Sequence, residues 1–240
     1  MFELNYSKIN AYLFCHYFYK FVYLDGKYVK HNPKTSFGIS IHKALKEYAL
    51  KKADLKNLLY LYEENWSNVG YDNPRDMIEY YEDGVEILKK FYEYDTKNYS
   101  EVLFCEEFFE IDIGDGFELK GTVDRVEKNS DGSVNIIDYK MGFDFDEEKE
   151  NPGNFRNYLQ LEIYAHGISK KYNLKVSKIG YYFISIPKKV LIDYSYDPTL
   201  IDNIKKIGSM MRENIINQKG NCSICLIKDI CYYSDFKKYE

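Results

Sequence analysis

The sequence has few cysteines, prolines and tryptophans: five, five and one among 240 residues. It contains no run of about 18 apolar residues, so no membrane-spanning helix is predicted. The opening "MFELNYSKIN" has no apolar stretch after a basic start, and the sequence shows no signal peptide. No G-x-x-x-x-G-K-(S/T) sequence is present, so any nucleotide-driven motor must be a separate partner. We therefore expect a cytoplasmic protein, in which clustered cysteines bind a metal rather than form disulfides.

The charge and the tyrosine content leave the class of partner open. A formal net charge of −5 gives no overall attraction to nucleic acid, although 33 lysines and arginines can still build a local basic groove. The 26 tyrosines could act as stacking platforms for bases. We favour the simpler interpretation, A/T-rich codon usage, because lysine, asparagine and isoleucine are abundant as well.

Hydrophobic periodicity predicts a mixed α/β (α+β) fold in a single domain, 1–240. A helical part occupies about residues 1–100, a core about 101–217, and a cysteine segment 218–240. Within these parts, the pattern predicts helices at 6–24, 39–52, 54–66, 74–94, 155–171 and 198–217, strands at 101–113, 117–127, 133–141 and within 176–196, and loops at 31–38 and 151–154. Gly-containing turns between the first three strands predict consecutive antiparallel hairpins.

Strand alternation brings three charged residues together. In "VNIIDYK", Asp138 and Lys140 share one face of a strand, about 6–7 Å apart. Pairing through the turn "KNSDGS" places Asp124 of the preceding strand across from Asp138. Two converging carboxylates repel each other unless a cation lies between them, and such oxygen ligands suit Mg²⁺ or Mn²⁺. Taken alone, Asp138 and Lys140 are better explained as a surface ion pair of little energetic value.

Five segments, in order along the chain, resemble the motifs of a known family. They are "YSKINAYLFCHYFYKFVY", "FGISIHKAL", "ELKGTVDRVE", "NIIDYKMG" and "NYLQLEIYAHGI". Together they resemble the PD-(D/E)XK nucleases, specifically the RecB-like branch, which includes recombination-repair nucleases and CRISPR-associated adaptation nucleases. Two positions depart from the family pattern: His16 replaces a proline and Met141 a threonine or serine. The resemblance implies a restriction-endonuclease-like core, with a central mixed sheet flanked by helices and an N-terminal helical insertion.

The resemblance also implies roles for individual residues. His42, Asp124 and Asp138 would hold Mg²⁺ or Mn²⁺, and Lys140 would position the attacking water and stabilise the developing charge. The remaining residues would support the site: the backbone carbonyl of Tyr139 as a further oxygen ligand, Glu107 as a supporting acid, and Gln160 and Tyr164 on a helix that faces the cleft and the DNA.

Three of the five cysteines lie within ten positions, in "GNCSICLIKDICYY". Four thiolates suit either zinc or an iron–sulfur cluster, and either Cys15 or Cys105 could complete the set. The resemblance favours a [4Fe–4S] cluster, with zinc as the alternative, on Cys15, Cys222, Cys225 and Cys231. We expect such a cluster to act as a structural staple that joins distant parts of the chain.

The motifs together predict a metal-dependent deoxyribonuclease that acts on single-stranded DNA or DNA ends. It would serve repair and recombination or CRISPR spacer acquisition, beside a helicase or adaptation proteins and away from membranes. The alternative from another functional class is a catalytically silent DNA-binding or scaffolding subunit. DNA binding without cleavage would favour this alternative. A zinc-ribbon-like structural protein would explain the cysteines but not the aspartates and lysine.

Overall fold

The chain folds into two compact units built from separate stretches of sequence. A computed structural model describes residues 1–27, 32–51, 53–142 and 155–236, with only the backbone at 155–157, so the predicted loop at 151–154 lies outside the described residues. The first unit comprises Met1–Lys30, Glu110–Lys120 and Asp197–Glu240, and the second comprises His31–Phe109 and Gly121–Tyr196. In the described part of the chain, every helix is too short or too polar to cross a membrane.

Six strands and seven α-helices are described. The strands are β1 (Phe2–Asn5), β2 (Glu101–Gly114), β3 (Phe117–Lys128), β4 (Val134–Lys140), β5 (Val176–Phe183) and β6 (Lys188–Asp193). The helices are α1 (Tyr6–Phe14), α2 (His16–Tyr19), α3 (Pro33–Lys51), α4 (Leu55–Glu64), α5 (Pro74–Lys97), α6 (Phe155–Tyr172) and α7 (Leu200–Arg212). A π-helical turn, Lys20–Leu24, follows α2, and a 3₁₀ turn, Cys222–Ile224, lies in the cysteine segment.

The first unit is organised around a short parallel strand pair. Strand β1 pairs with the start of β3, from Phe2 opposite Phe117 to Asn5 opposite Lys120. Helix α7 approaches this pair at Gly208, where a Cβ atom would lie 2.7 Å from Leu4 and 2.9 Å from Phe117. Because both of those side chains are buried, a larger residue at position 208 would force the helix away from the strands.

A mixed sheet forms the centre of the second unit. Strands β3 and β4 are antiparallel, with Arg125 opposite Ile137; β4 and β5 are parallel; and β5 and β6 are antiparallel. Strand β2 pairs with β3. Helices α3, α4 and α5 contribute to a hydrophobic core with side chains of β4 and β5, and α6 contacts the same two strands. This mixed α/β fold, with helices around a mixed sheet, confirms the predicted restriction-endonuclease-like architecture.

A single aromatic ring brings strands β2 and β3 and helix α6 close together. Phe109 on β2 is fully buried. A Cβ atom added to Gly121 on β3 would lie 2.6 Å from the Phe109 ring, and one added to Gly167 on α6 would lie 2.4 Å from it. The two glycines therefore leave the space that the ring fills, and Tyr164 on α6 meets the same ring edge to face.

Three local features differ from the sequence prediction. Helix α3 starts at Pro33 rather than at 39, because the Asn32 side chain accepts a hydrogen bond from the Thr35 amide and proline suits the first helical turn. The predicted helix at 6–24 is interrupted at Cys15, whose backbone is extended with φ −165°. Strand β1 was not predicted, since four residues are too few for alternation to reveal a strand.

Candidate metal centre and active site

The β3–β4 hairpin brings the two predicted aspartates to the same place. The register runs from Lys128 opposite Val134 to Arg125 opposite Ile137, so the next pair along the strands is Asp124 and Asp138. The observed pairing through the turn "KNSDGS" is the predicted one. Asp138 is 3% exposed, so its position is set by protein neighbours rather than by water.

Three potential metal ligands converge beside this hairpin. One ligand atom from each of His42, Glu106 and Asp124 can be chosen so that all three lie within 4.8 Å of one another. The His42 Nδ1 atom lies 3.7 Å from Asp124 Oδ2. Helix α3 supplies the imidazole, while β2 and β3 supply the carboxylates. One imidazole nitrogen and two carboxylate groups form a ligand set that can bind a divalent cation.

Glu106 was missed by sequence reasoning, which had singled out its neighbour Glu107. The backbone of Glu106 has φ +49°, a left-handed conformation that a non-glycine residue adopts at a cost of about 1–3 kcal/mol. This local break in strand β2 turns the Glu106 side chain toward His42 and Asp124. Glu107 instead contacts Lys171 at 2.5 Å and accepts a hydrogen bond from Tyr172. Glu107 therefore lies in a separate polar contact with helix α6.

The remaining predicted residues form a second group around Asp138. Lys140 Nζ lies 2.6 Å from Asp138 Oδ2 and 3.2 Å from Gln160 Oε1. The Gln160 amide donates to Asp138 Oδ1 at 2.7 Å and to the Tyr164 hydroxyl at 3.0 Å. The Lys140 side chain remains 41% exposed, so its ammonium group can reach a substrate. Helix α6 thus fixes the aspartate and the lysine through one glutamine.

Tyr139 links the two groups through its backbone. Its amide donates a hydrogen bond to Asp124 Oδ2 at 2.8 Å. Its side chain lies on the opposite face of β4 from Asp138 and Lys140, where it is 3% exposed. The His42 and Tyr139 rings are perpendicular, with their centroids 5.8 Å apart. The structure therefore places Tyr139 as an orienting neighbour of both Asp124 and His42.

Burial governs the protonation of the ligand group. Desolvation, and then the Asp138 charge, raise the pKa of Asp124 well above its usual value, while the Tyr139 amide acts in the opposite direction. Desolvation also raises the pKa of Glu106, which Lys46 partly counteracts. Burial lowers the pKa of His42, so its imidazole is neutral at neutral pH. Crowded carboxylates beside a neutral imidazole fit a divalent cation, because the cation would offset the repulsion between them.

The four predicted cysteines of the C-terminal set come together in the first unit. Cys15, Cys222, Cys225 and Cys231 line one cavity with apolar and aromatic neighbours. Desolvation raises the pKa of the Cys225 thiol, with smaller contributions from the other three sulfurs. Cys105, the other candidate, is buried in the core of the second unit, where desolvation raises its pKa to about 12. Four converging thiols are the donor set that thiophilic metals and iron–sulfur clusters require.

Contacts around the helix break explain how Cys15 reaches the other three. The His16 imidazole Nδ1 accepts hydrogen bonds from the amides of Asn217 and Gln218 at 3.3 and 3.2 Å. A Cβ atom at Gly220 would lie 2.1 Å from the Phe14 carbonyl oxygen and 2.8 Å from Cys15 Cβ. The chain after α7 therefore runs directly along the break at Cys15. His16, which replaces the proline of the family pattern, serves as an anchor for that chain.

The comparisons with known proteins agree with this fold. A family model described as the PD-(D/E)XK nuclease superfamily matches residues 3–232. A solved structure from Eubacterium rectale, described as a "putative exonuclease", is 12% identical, with a TM-score of 0.53, and the match covers 100% of this chain and 90% of that one; it supports the fold alone. The structure of SSO0001 is 14% identical over 97% of this chain and 87% of that one, with a TM-score of 0.42. No curated protein matches the chain. Because the family model spans nearly its whole length, the chain belongs to the PD-(D/E)XK nuclease superfamily.

Proposed function

We propose that this protein is a Mg²⁺- or Mn²⁺-dependent deoxyribonuclease that hydrolyses phosphodiester bonds in single-stranded DNA or at DNA ends. The observation that carries the proposal is the convergence of His42, Glu106 and Asp124 beside the Asp138–Lys140 pair. The chain that carries these residues belongs to a nuclease superfamily, whose enzymes cleave phosphodiesters. The exonuclease mode rests on the family resemblance of the motifs, and the solved relative described as a "putative exonuclease" is in keeping with it.

The chain's own residues divide the chemical tasks between the two groups. His42, Glu106 and Asp124 would hold the cation, with Asp138 on the adjoining strand as a further oxygen donor. A bound divalent cation supplies Lewis acidity and lowers the pKa of coordinated water. Lys140 would donate hydrogen bonds to the attacking water and to the phosphate oxygens, where negative charge develops. Gln160 holds Lys140 and Asp138 at hydrogen-bonding distance, so both are oriented before substrate arrives.

We further propose that the chain is of the RecB-like type, with a [4Fe–4S] cluster on Cys15, Cys222, Cys225 and Cys231. The four cysteines line one cavity of the first unit, and the preference for a cluster over zinc rests on the family resemblance of the motifs. Such a protein would serve DNA repair and recombination or CRISPR spacer acquisition, with a helicase or adaptation proteins as partners.

A cleavage assay on single-stranded DNA labelled at the 5′ or the 3′ end tests the function. The wild type should degrade both substrates with Mn²⁺ or Mg²⁺ and not with a chelator. Asp138→Ala and Lys140→Ala should each lose this activity, because each removes a group from the reacting centre. Undiminished cleavage by both purified variants would refute the mechanism. DNA binding without cleavage across several metals would favour the silent scaffolding alternative.

A further inference from the structure

The sheet face opposite Asp124 and Asp138 holds a buried network of charged and hydroxyl groups. Strand alternation points Arg125 and Tyr139 away from the metal ligands that flank them in sequence. The network comprises two cations, two carboxylates and three tyrosine hydroxyls, all in the second unit: Arg125, Lys189, Asp95, Glu127, Tyr48, Tyr139 and Tyr182. Its charges balance, so it does not act on the metal site through net charge.

Arg125 is the centre of this network and is 1% exposed. Its guanidinium contacts Asp95 Oδ1 at 3.1 Å through Nη2 and Glu127 Oε1 at 2.7 Å through Nε. Its Nη1 atom donates to the Tyr139 hydroxyl at 3.3 Å. A planar guanidinium reaches three partners in three directions, which the single ammonium group of a lysine cannot reproduce. The geometry of the network therefore depends on arginine itself.

Two of the three elements that carry metal ligands, β3 and α3, are tied to this network. The hydroxyl held by Arg125 belongs to Tyr139, whose amide donates to Asp124 Oδ2 at 2.8 Å. Helix α3, which carries His42, is attached by Tyr48, whose hydroxyl donates to Asp95 at 3.1 Å. The His42 ring itself rests against the Tyr139 ring. The network thus determines where the Asp124 carboxylate and the His42 imidazole stand relative to one another.

We infer that Arg125 is a positioning residue for the metal centre, which it orients through the Tyr139 hydroxyl and backbone. The inference rests on the proposed function, because it requires that His42, Glu106 and Asp124 bind a divalent cation. The hydrogen bond from Arg125 to Tyr139 supports the metal ligands without touching the metal. In metal sites, the loss of such a supporting residue costs about 10- to 100-fold in metal affinity or activity.

The test is the affinity of the intact chain for Mn²⁺, measured by titration calorimetry without DNA. Tyr139→Phe removes the hydroxyl while it keeps the ring against His42, and it should weaken Mn²⁺ binding about 10-fold. Arg125→Lys keeps the charge and should weaken binding to at least the same extent. Tyr62→Phe is the control: Tyr62 is buried in the same unit, and its hydroxyl bonds only the Tyr81 carbonyl among the contacts resolved for it.

The outcomes separate the inference from the proposed function. Weaker binding by Tyr139→Phe, with Tyr62→Phe unchanged and both melting temperatures lowered to a similar extent, supports the positioning role. Equal Mn²⁺ affinity in wild type, Tyr139→Phe and Arg125→Lys overturns the inference while the proposed function stands. A parallel loss of affinity in Tyr62→Phe and Tyr139→Phe assigns the effect to stability and overturns it as well. A wild type that binds no Mn²⁺ overturns the proposed function and this inference together.

Discussion

The ammonium group of Lys140 lies 2.6 Å from Asp138 Oδ2, and both residues are held by the side chain of Gln160. Lys140 stands two residues beyond Asp138 on β4 and remains partly open to solvent, whereas Asp138 is buried. A cation that stays exposed beside a buried carboxylate is arranged to meet an incoming anion. The phosphate of a nucleic acid backbone is such an anion.

Replacement of this lysine should separate catalysis from metal binding. Lys140→Met removes the hydrogen-bond donor from the reacting centre, and we expect kcat to fall by about 100-fold or more. Mn²⁺ affinity should fall much less, since Lys140 is not a ligand. Lys178→Met is the matched control on β5, because Lys178 is 45% exposed and pairs with the exposed Asp193 at 3.5 Å. Single-turnover cleavage rates would contradict the assignment if both variants behaved alike.

Adjacent glutamates on β2 provide a test of the ligand set. Glu106→Gln removes a carboxylate from the His42–Asp124 group and should weaken Mn²⁺ binding by more than about 10-fold. A loss of about 10-fold is already typical when only a residue that supports a ligand is changed. Glu107→Gln removes only the contact with Lys171 and Tyr172 and should leave the affinity unchanged. Calorimetric titration of both variants compares them directly. A larger effect of Glu107→Gln than of Glu106→Gln would show that Glu107, and not Glu106, is the ligand.

Metal-dependent stabilisation should increase with pH. The pKa of Asp124 is raised above its usual 3.8 by burial and by Asp138, so the folded, metal-free protein keeps a proton that the unfolded chain has lost. Its stability therefore falls as pH rises from the unfolded pKa through the folded one. Bound Mn²⁺ favours the ionised carboxylate and removes that penalty. The rise in melting temperature with Mn²⁺ should thus be larger at about pH 8 than at about pH 5.

The same experiment on an Asp124 variant identifies the group responsible for the pH dependence. Burial lowers the pKa of His42, so its imidazole is already neutral and able to bind a cation at about pH 7 and above. Asp124→Asn should lose most of the pH dependence, because it removes the carboxyl group whose raised pKa causes it. An unchanged pH dependence in that variant would assign the proton to another group, with Glu106 as the next to test.

The cysteine cavity predicts which thiols retain a metal. After anaerobic purification, the wild type should contain iron and sulfide, and Cys225→Ser should lose both, since it removes one of the four cavity thiols. Cys105→Ala should keep them, because Cys105 lies in the core of the other unit. Elemental analysis and the visible absorption spectrum give the result. A colourless protein with stoichiometric zinc would exclude the iron–sulfur assignment.

Two glycines should respond in opposite directions to the same substitution. Gly38 lies in helix α3, and apart from its chain neighbours and its own helix backbone no described residue comes within 4 Å of an added Cβ. Gly38→Ala should therefore stabilise the fold by about 0.5–1 kcal/mol. At Gly180 on β5, an added Cβ would lie 2.0 Å from the Val190 carbonyl oxygen, and Gly180→Ala should cost about 1–3 kcal/mol. Denaturant unfolding of both variants measures the two changes. Equal shifts would contradict the described strand spacing.

The parts of the site that depend on regular structure could be predicted from the sequence. Alternation along β4 placed Asp138 and Lys140 on one face, and the turn at "KNSDGS" fixed the pairing that brings Asp124 opposite Asp138. Helical spacing placed Gln160 and Tyr164 on one side of α6, where their side chains are hydrogen-bonded to each other. Each of these relationships involves a repeat of two or four residues, which a sequence displays directly.

The parts that depend on irregular backbone or distant packing could not be predicted. Alternation cannot indicate that Glu106 rather than Glu107 faces His42, because a left-handed residue interrupts the strand at that point. The role of Arg125 depends on Asp95 from α5 and Tyr139 from β4, which only the folded chain brings together. Strand β1 pairs with residues more than one hundred positions away, and no local signal indicates that partner.

The contact among Phe109, Gly121 and Gly167 has a consequence for how this fold can diverge. The ring occupies the space that side chains at both glycines would need. A larger residue at position 121 or 167 can be accepted only after position 109 becomes smaller, and a smaller residue at 109 first leaves a cavity. Because β2, β3 and α6 also carry Glu106, Asp124 and Gln160, we expect the three positions to change together among relatives that keep a working site, as one inherited unit.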